Sequence, residues 1–128
     1  MIRSNASGDL KRGGLANALC ALLFLGAVGV VFAHTAPVSM MPAADATVAS
    51  PATIMIHFSG ALERKFSTIT VTNAEGHVVN KELSVVSGDN KIMTVTLPAL
   101  PPGVYTVHWV GVSVDTHRSQ GDYKFTVK

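Results

Sequence analysis

At 128 residues the chain has room for one domain and no second core, and no internal repeat divides it. Ten Lys and Arg against eight Asp and Glu give a formal charge of +2, but Arg3, Lys11 and Arg12 all precede an almost wholly apolar run over residues 15–33. Without that first segment seven residues of each sign remain, so the pI near 8.9 says little about partners and no basic stripe suggests nucleic acid.

A basic start, an apolar run and small residues at its end form the pattern of a secretory signal peptide. Val31 and Ala33 suit the −3 and −1 positions, which places the cut between Ala33 and His34. Residues 1–33 are then a removed leader and residues 34–128 the exported domain. The run is nearly long enough to cross a bilayer, so an uncleaved anchor is the competing reading. The single cysteine, Cys20, lies inside the run, with Leu19 before it and apolar sequence after it, which argues against a lipid-attachment site. A processed chain has no thiol. It must be held by its apolar core without disulfides, and any metal site must use imidazole, carboxylate, amine or thioether.

After His34 the chain reads as short strands between turns, an all-β pattern. Residues 35–41 are extended, with Pro37 confining them to an edge or irregular strand. Residues 42–46 are turn-like. Ile54, Ile56 and Phe58 alternate with Met55 and His57, a half-buried strand. Residues 59–65 read as a loop with a helical turn near 61–65, and residues 66–72 as a strand with Ile69 and Val71 on one face. Asn73 to Gly76 is a tight turn in which glycine supplies a positive φ. Residues 78–86 are expected to continue extended, 87–90 to turn, and Ile92, Val95 and Leu97 to belong to the next strand. Tyr105, after Pro101-Pro-Gly103, fits the corner tyrosine of immunoglobulin-like sandwiches. Tyr105, Val107 and Trp109 face the core with His108 outward, and Tyr123, Phe125 and Val127 line the last strand. About seven strands fit a small two-sheet sandwich.

Asp115 and His117 stand two apart. In an extended segment both leave one face, with Cα atoms roughly 6.6 Å apart, and can converge on one cation. Taken alone, the pair reads better as a polar turn with an Asx hydrogen bond than as a metal site. Cleavage before His34 changes the balance, because the freed α-amine and its own imidazole can chelate one metal. Their reference pKa values, about 7.7–8.0 and 6.5, let both shed a proton near neutrality. Three nitrogens and one oxygen in a tetragonal arrangement suit Cu(II). The geometric condition is that the N-terminus packs beside the loop after the Trp109 strand.

His34-Thr-Ala-Pro-Val-Ser-Met-Met-Pro-Ala-Ala-Asp45, Ile56-His-Phe-Ser59, the run from Leu97 through Pro101-Pro-Gly-Val-Tyr-Thr-Val-His-Trp109, and Ser113-Val-Asp-Thr-His117 together resemble the CopC/PcoC family of periplasmic copper-binding proteins. The resemblance spans residues 34–128; an N-terminal histidine joined to a late Asp-x-His is its specific part. It implies a Greek-key, immunoglobulin-like or cupredoxin-like β-sandwich that carries copper without catalysis. It also implies one Cu(II) held by His34 through amine and imidazole, by Asp115 and by His117. By the same resemblance its expected partner is an inner-membrane copper transporter of the CopD type; the cleaved leader places the domain in the periplasm, where a monomer inserted in no membrane is expected. Two departures stand out. Gly60 occupies a position where family members often carry an acid, with Glu63 three residues on as a substitute. Residues 72–79, where some members place a methionine-rich Cu(I) loop, contain only His77, so no separate Cu(I) site is expected.

The other candidates read as structural. Met40 and Met41 are adjacent and face opposite ways on a strand, so both cannot serve one ion. Met55 and Met93 read as packing or surface residues, and His57, His77 and His108 as surface histidines. Two other functions compete with the copper carrier. One is a metal-free exported interaction module. The other is a histidine-brace copper oxygenase, which needs an open coordination position that Asp115 would fill.

Overall fold

The computed structural model describes residues 35–128. The leader with Cys20, and His34 itself, lie outside the described residues. Eight strands form two four-stranded sheets: β1 (Pro37–Met41), β3 (Thr53–Phe58), β6 (Ile92–Thr96) and β5 (Val85–Ser87) in that order, and β2 (Thr47–Val48), β8 (Arg118–Val127), β7 (Gly103–Val112) and β4 (Thr68–Thr72) in the other. All pairs are antiparallel except β2 with β8.

The period-2 patterns produce the core as read. Ile54, Ile56 and Phe58 are fully buried while Met55 and His57 point out, and Ile69, Val71, Tyr105, Val107, Trp109, Tyr123, Phe125 and Val127 close the interior from the second sheet. Phe58 meets Trp109 edge to face, with centroids 5.4 Å apart. The corner tyrosine is present: the Tyr105 hydroxyl donates to the Pro101 carbonyl at 2.6 Å. Tyr123 differs, its buried hydroxyl having no partner among the described residues, and burial pushes its pKa up to about 12.

Three local expectations are corrected. No helical turn forms near 61–65. Instead Leu62, 1% exposed, makes an isolated bridge to Ser113 and fills the core, and a turn follows at residues 64–66. Phe66 belongs to that turn, 63% exposed, so β4 starts at Thr68. Residues 78–86 are not one strand. Val78 makes one bridge to Thr72, then the chain crosses to the other sheet, where only Val85–Ser87 pairs. On the way Asn80 Oδ1 accepts from Val71 N at 2.8 Å and Ser84 Oγ from Ile69 N at 3.0 Å, so side chains satisfy edge amides of β4. The two-residue β2 is an additional element that the sequence reading did not include.

Candidate metal centre

Asp115 and His117 lie in the connection from β7 to β8. They do not converge through the pleat of an extended strand, as the two-residue spacing suggested. Residues 114–116 form a turn in which Thr116 takes φ +73°, and its ends close on Ser113: the Ser113 amide donates to the His117 carbonyl at 2.8 Å, and the Thr116 amide to the Ser113 carbonyl at 2.8 Å. This tight closure brings His117 Nδ1 to 3.3 Å from Asp115 Oδ1. Two donors each about 2.0–2.1 Å from one metal ion lie about 3 Å apart when adjacent in its coordination sphere, so this separation matches a two-donor bite.

The turn also prepares the carboxylate. The Ser113 hydroxyl donates to Asp115 Oδ1, and the His117 amide approaches the same oxygen at 3.4 Å. The Ser113 hydroxyl, followed by the His117 side chain, holds the Asp115 carboxyl below the usual carboxylate range. These contacts all fall on Oδ1. The Asx-type bond and the donor pair are the same geometry, so the two sequence readings of this segment are compatible.

Among the described residues no group of three His, Cys, Asp or Glu side chains surrounds a common point, so Asp115 and His117 would need further donors to hold a metal ion. The chain just before β1 runs to this place. Thr35 is 7% exposed, and its carbonyl accepts from the Ser119 hydroxyl at 2.8 Å. Ala36 is clamped to Ser59 by two bonds, amide to Ser59 Oγ at 3.1 Å and carbonyl from Ser59 N at 2.9 Å. Gly60 belongs to this cradle: a Cβ there would stand 2.8 Å from Thr35 Oγ1. The glycine at a position where an acid was sought thus leaves space for Thr35. Glu63 is tied by its amide to the Val112 carbonyl at 2.7 Å, at the β7 end of the same turn.

The remaining histidines stand apart from this turn. His108 points outward from β7 and pairs with Asp122 directly across on β8, Nδ1 to Oδ1 at 2.5 Å. His57 is exposed on the outer face of the other sheet, and His77 is exposed after the Gly76 turn. Met40 packs against the core and Met93 lies within it, whereas Met41 and Met55 are exposed. Sequence reasoning missed Ser113, Ser119 and Thr35. Their small polar side chains near a glycine and a turn carried no periodic signal.

The two-sheet β-sandwich thus carries a carboxylate–imidazole pair on the turn between β7 and β8, with the segment that leads into its first strand bonded close by. Residues 37–128 match the CopC domain model. Over 115 residues the chain is 37% identical to copper resistance protein C of Escherichia coli, covering 83% of this chain and 90% of that protein. It is 35% identical over 99 residues to copper transport protein CutJ of Bacillus subtilis, 75% of this chain but only 18% of that longer protein. The crystal structure of CopC from Methylosinus trichosporium OB3b superposes with a TM-score of 0.69 at 32% identity, covering 74% of this chain and 94% of that one. The chain belongs to the CopC family.

Proposed function

We propose that this protein binds one Cu(II) ion per chain and carries or sequesters it in the periplasm, without catalysing a reaction. Export removes residues 1–33, and the α-amine and imidazole of His34 join Asp115 and His117 as ligands. Names of relatives from copper resistance and copper transport support the cargo, and the donor set of nitrogen and carboxylate oxygen suits Cu(II).

The observation that carries the reading is the 2.8 Å bond from Ser119 to the Thr35 carbonyl. It ties the residue that follows His34 to a strand position two past His117. Consecutive Cα atoms are about 3.8 Å apart, so a chain beginning at His34 starts one residue from that anchor. This anchor supports delivery of His34, the ligand most distant in sequence, to the turn that carries Asp115 and His117. The family resemblance points to a membrane transport partner of the CopD type, to which a monomeric carrier passes its copper, and the name of the relative CutJ, a copper transport protein, is consistent with such a transfer.

The test is a Cu(II) titration of the protein that begins at His34. One equivalent is expected to give a d–d absorption band and an electron paramagnetic resonance spectrum with nitrogen hyperfine coupling. Binding of several weak equivalents, or a spectrum with oxygen ligands alone, would overturn the assignment.

A further inference from the structure

The outer face of the β1–β3–β6–β5 sheet carries a cluster that the Cu(II) reading leaves unused. Met41 of β1 is the direct partner of Met55 of β3, and Ser39 is the partner of His57, one same-face step along the same two strands. Paired residues share a face, as do residues two apart on a strand. Met41, Met55 and His57 therefore leave the same side of the sheet, and it is the solvent side. Met41 is 68% and Met55 40% exposed, His57 is exposed, and Ile54, Ile56 and Phe58 take the core side.

Methionine ordinarily serves as an adaptable filler of cores, as Met40 and Met93 do here. Two open thioethers set face to face are a different arrangement. Direct cross-strand partners have Cβ atoms about 4.5–5.5 Å apart, and a same-strand neighbour two residues on has its Cα roughly 6.6 Å away. Methionine's three rotatable bonds let both sulfurs turn toward one point beside the imidazole. The third strand adds no carboxylate, since Thr94 is the partner of Met55 and Ile92 of His57. Two sulfurs and one nitrogen are a soft donor set with nothing to attract a hard cation, and thioethers select Cu(I).

We propose that Met41, Met55 and His57 form a second metal site, for a soft monovalent ion, Cu(I) or its redox-inert analogue Ag(I). The expectation of no separate Cu(I) site looked to the loop at residues 72–79 and to the opposed directions of Met40 and Met41. The register supplies Met41 with a different partner. The proposal uses no residue of the Cu(II) reading, so either can fail without the other.

The test titrates Ag(I) into the protein recovered after export and follows methionine methyl and histidine ring signals by NMR. The Met41 and Met55 methyls and the His57 ring are expected to shift together and saturate at one equivalent, with Met40 and Met93 unmoved. Met41→Leu combined with Met55→Leu keeps side-chain volume at exposed positions. Losing two ligands should weaken Ag(I) binding by more than the roughly 10–100-fold that losing an orienting partner costs, with Cu(II) binding unchanged. The same titration of His117→Ala is expected to retain the response. Shifts confined to one methionine, a response abolished by His117→Ala, or unaltered affinity in the double leucine variant would each overturn the proposal.

Discussion

The molecule contains two carboxylate–imidazole pairs on β7, β8 and the turn that joins them, and they are built differently. His108 and Asp122 face each other across the ladder, 2.5 Å apart, on the outer face of a sheet. Asp115 and His117 sit 3.3 Å apart on a tight turn at the end of the sandwich. Both pairs are largely open to solvent, and the sheet pair is the closer. Yet the sheet pair has Thr70, Thr106, Lys124, Val110 and Gln120 as its ladder neighbours, with no further histidine or carboxylate among them. The turn pair has the start of the described chain bonded beside it through Thr35 and Ser119. Closeness of an Asp–His pair therefore does not make a metal site. A metal ion needs further donors, and of the two pairs the turn pair is the one with the segment that follows His34 bonded close by.

The sharpest way to break that contrast is to remove one imidazole from each pair. His117→Ala is expected to lower Cu(II) affinity by about two orders of magnitude or more, since losing a ligand should exceed the 10–100-fold cost of losing an orienting partner. His108→Ala should leave affinity unchanged. Isothermal titration of both variants decides it, and equal losses would erase the distinction.

Protons should reproduce the effect in graded form. Copper competes with protons for an amine and two imidazoles, so affinity is expected to fall steeply below about pH 6. The carboxylate does not set that limit. Its pKa is lowered on folding, so Asp115 stays ionised there and protonates only below the ordinary carboxyl range. By the same sign, its bonds stabilise the metal-free fold above the unfolded carboxyl value, and that contribution is lost as pH falls through the lower folded value. Affinity that is flat from pH 7 to 4 would point to a site of carboxylates alone.

The anchor of the first strand can be tested by Ser119→Ala, which deletes the bond to Thr35. A net hydrogen bond is worth about 0.5–1.5 kcal/mol, so copper affinity should fall roughly 2- to 12-fold through looser placement of His34. A loss of equal size in Asp122→Ala would show that any change on β8 has this effect. Ser113→Ala should have the smallest consequence for copper, with the Asp115 pKa, read by NMR, rising toward its ordinary value.

Much of the fold was legible because burial leaves a period of two. Ile54, Ile56 and Phe58, or Tyr105, Val107 and Trp109, announce their face without any partner being known. Segments whose role depends on a distant partner gave no such sign. Two residues of β2 are too few to show a period, and Leu62 enters the core from a loop through its bridge to Ser113. Residues 78–84 look like a strand by composition but spend their side chains on the edge of β4. The site divides the same way. Asp115 and His117 were singled out as candidates from type and spacing, although a turn with positive φ at Thr116, and not a strand, brings them together. The serines and threonine that hold the turn and the first strand in place were invisible, since their partners lie up to 84 residues away.

The central claim is that the amine exposed by processing is a ligand, and one comparison of Cu(II) affinity tests it directly. Protein beginning at His34 is set against protein with a single additional residue before it, which keeps every side chain and moves only the amine. The account predicts weakening by orders of magnitude and a changed nitrogen hyperfine pattern. Equal affinity in the two forms would contradict it.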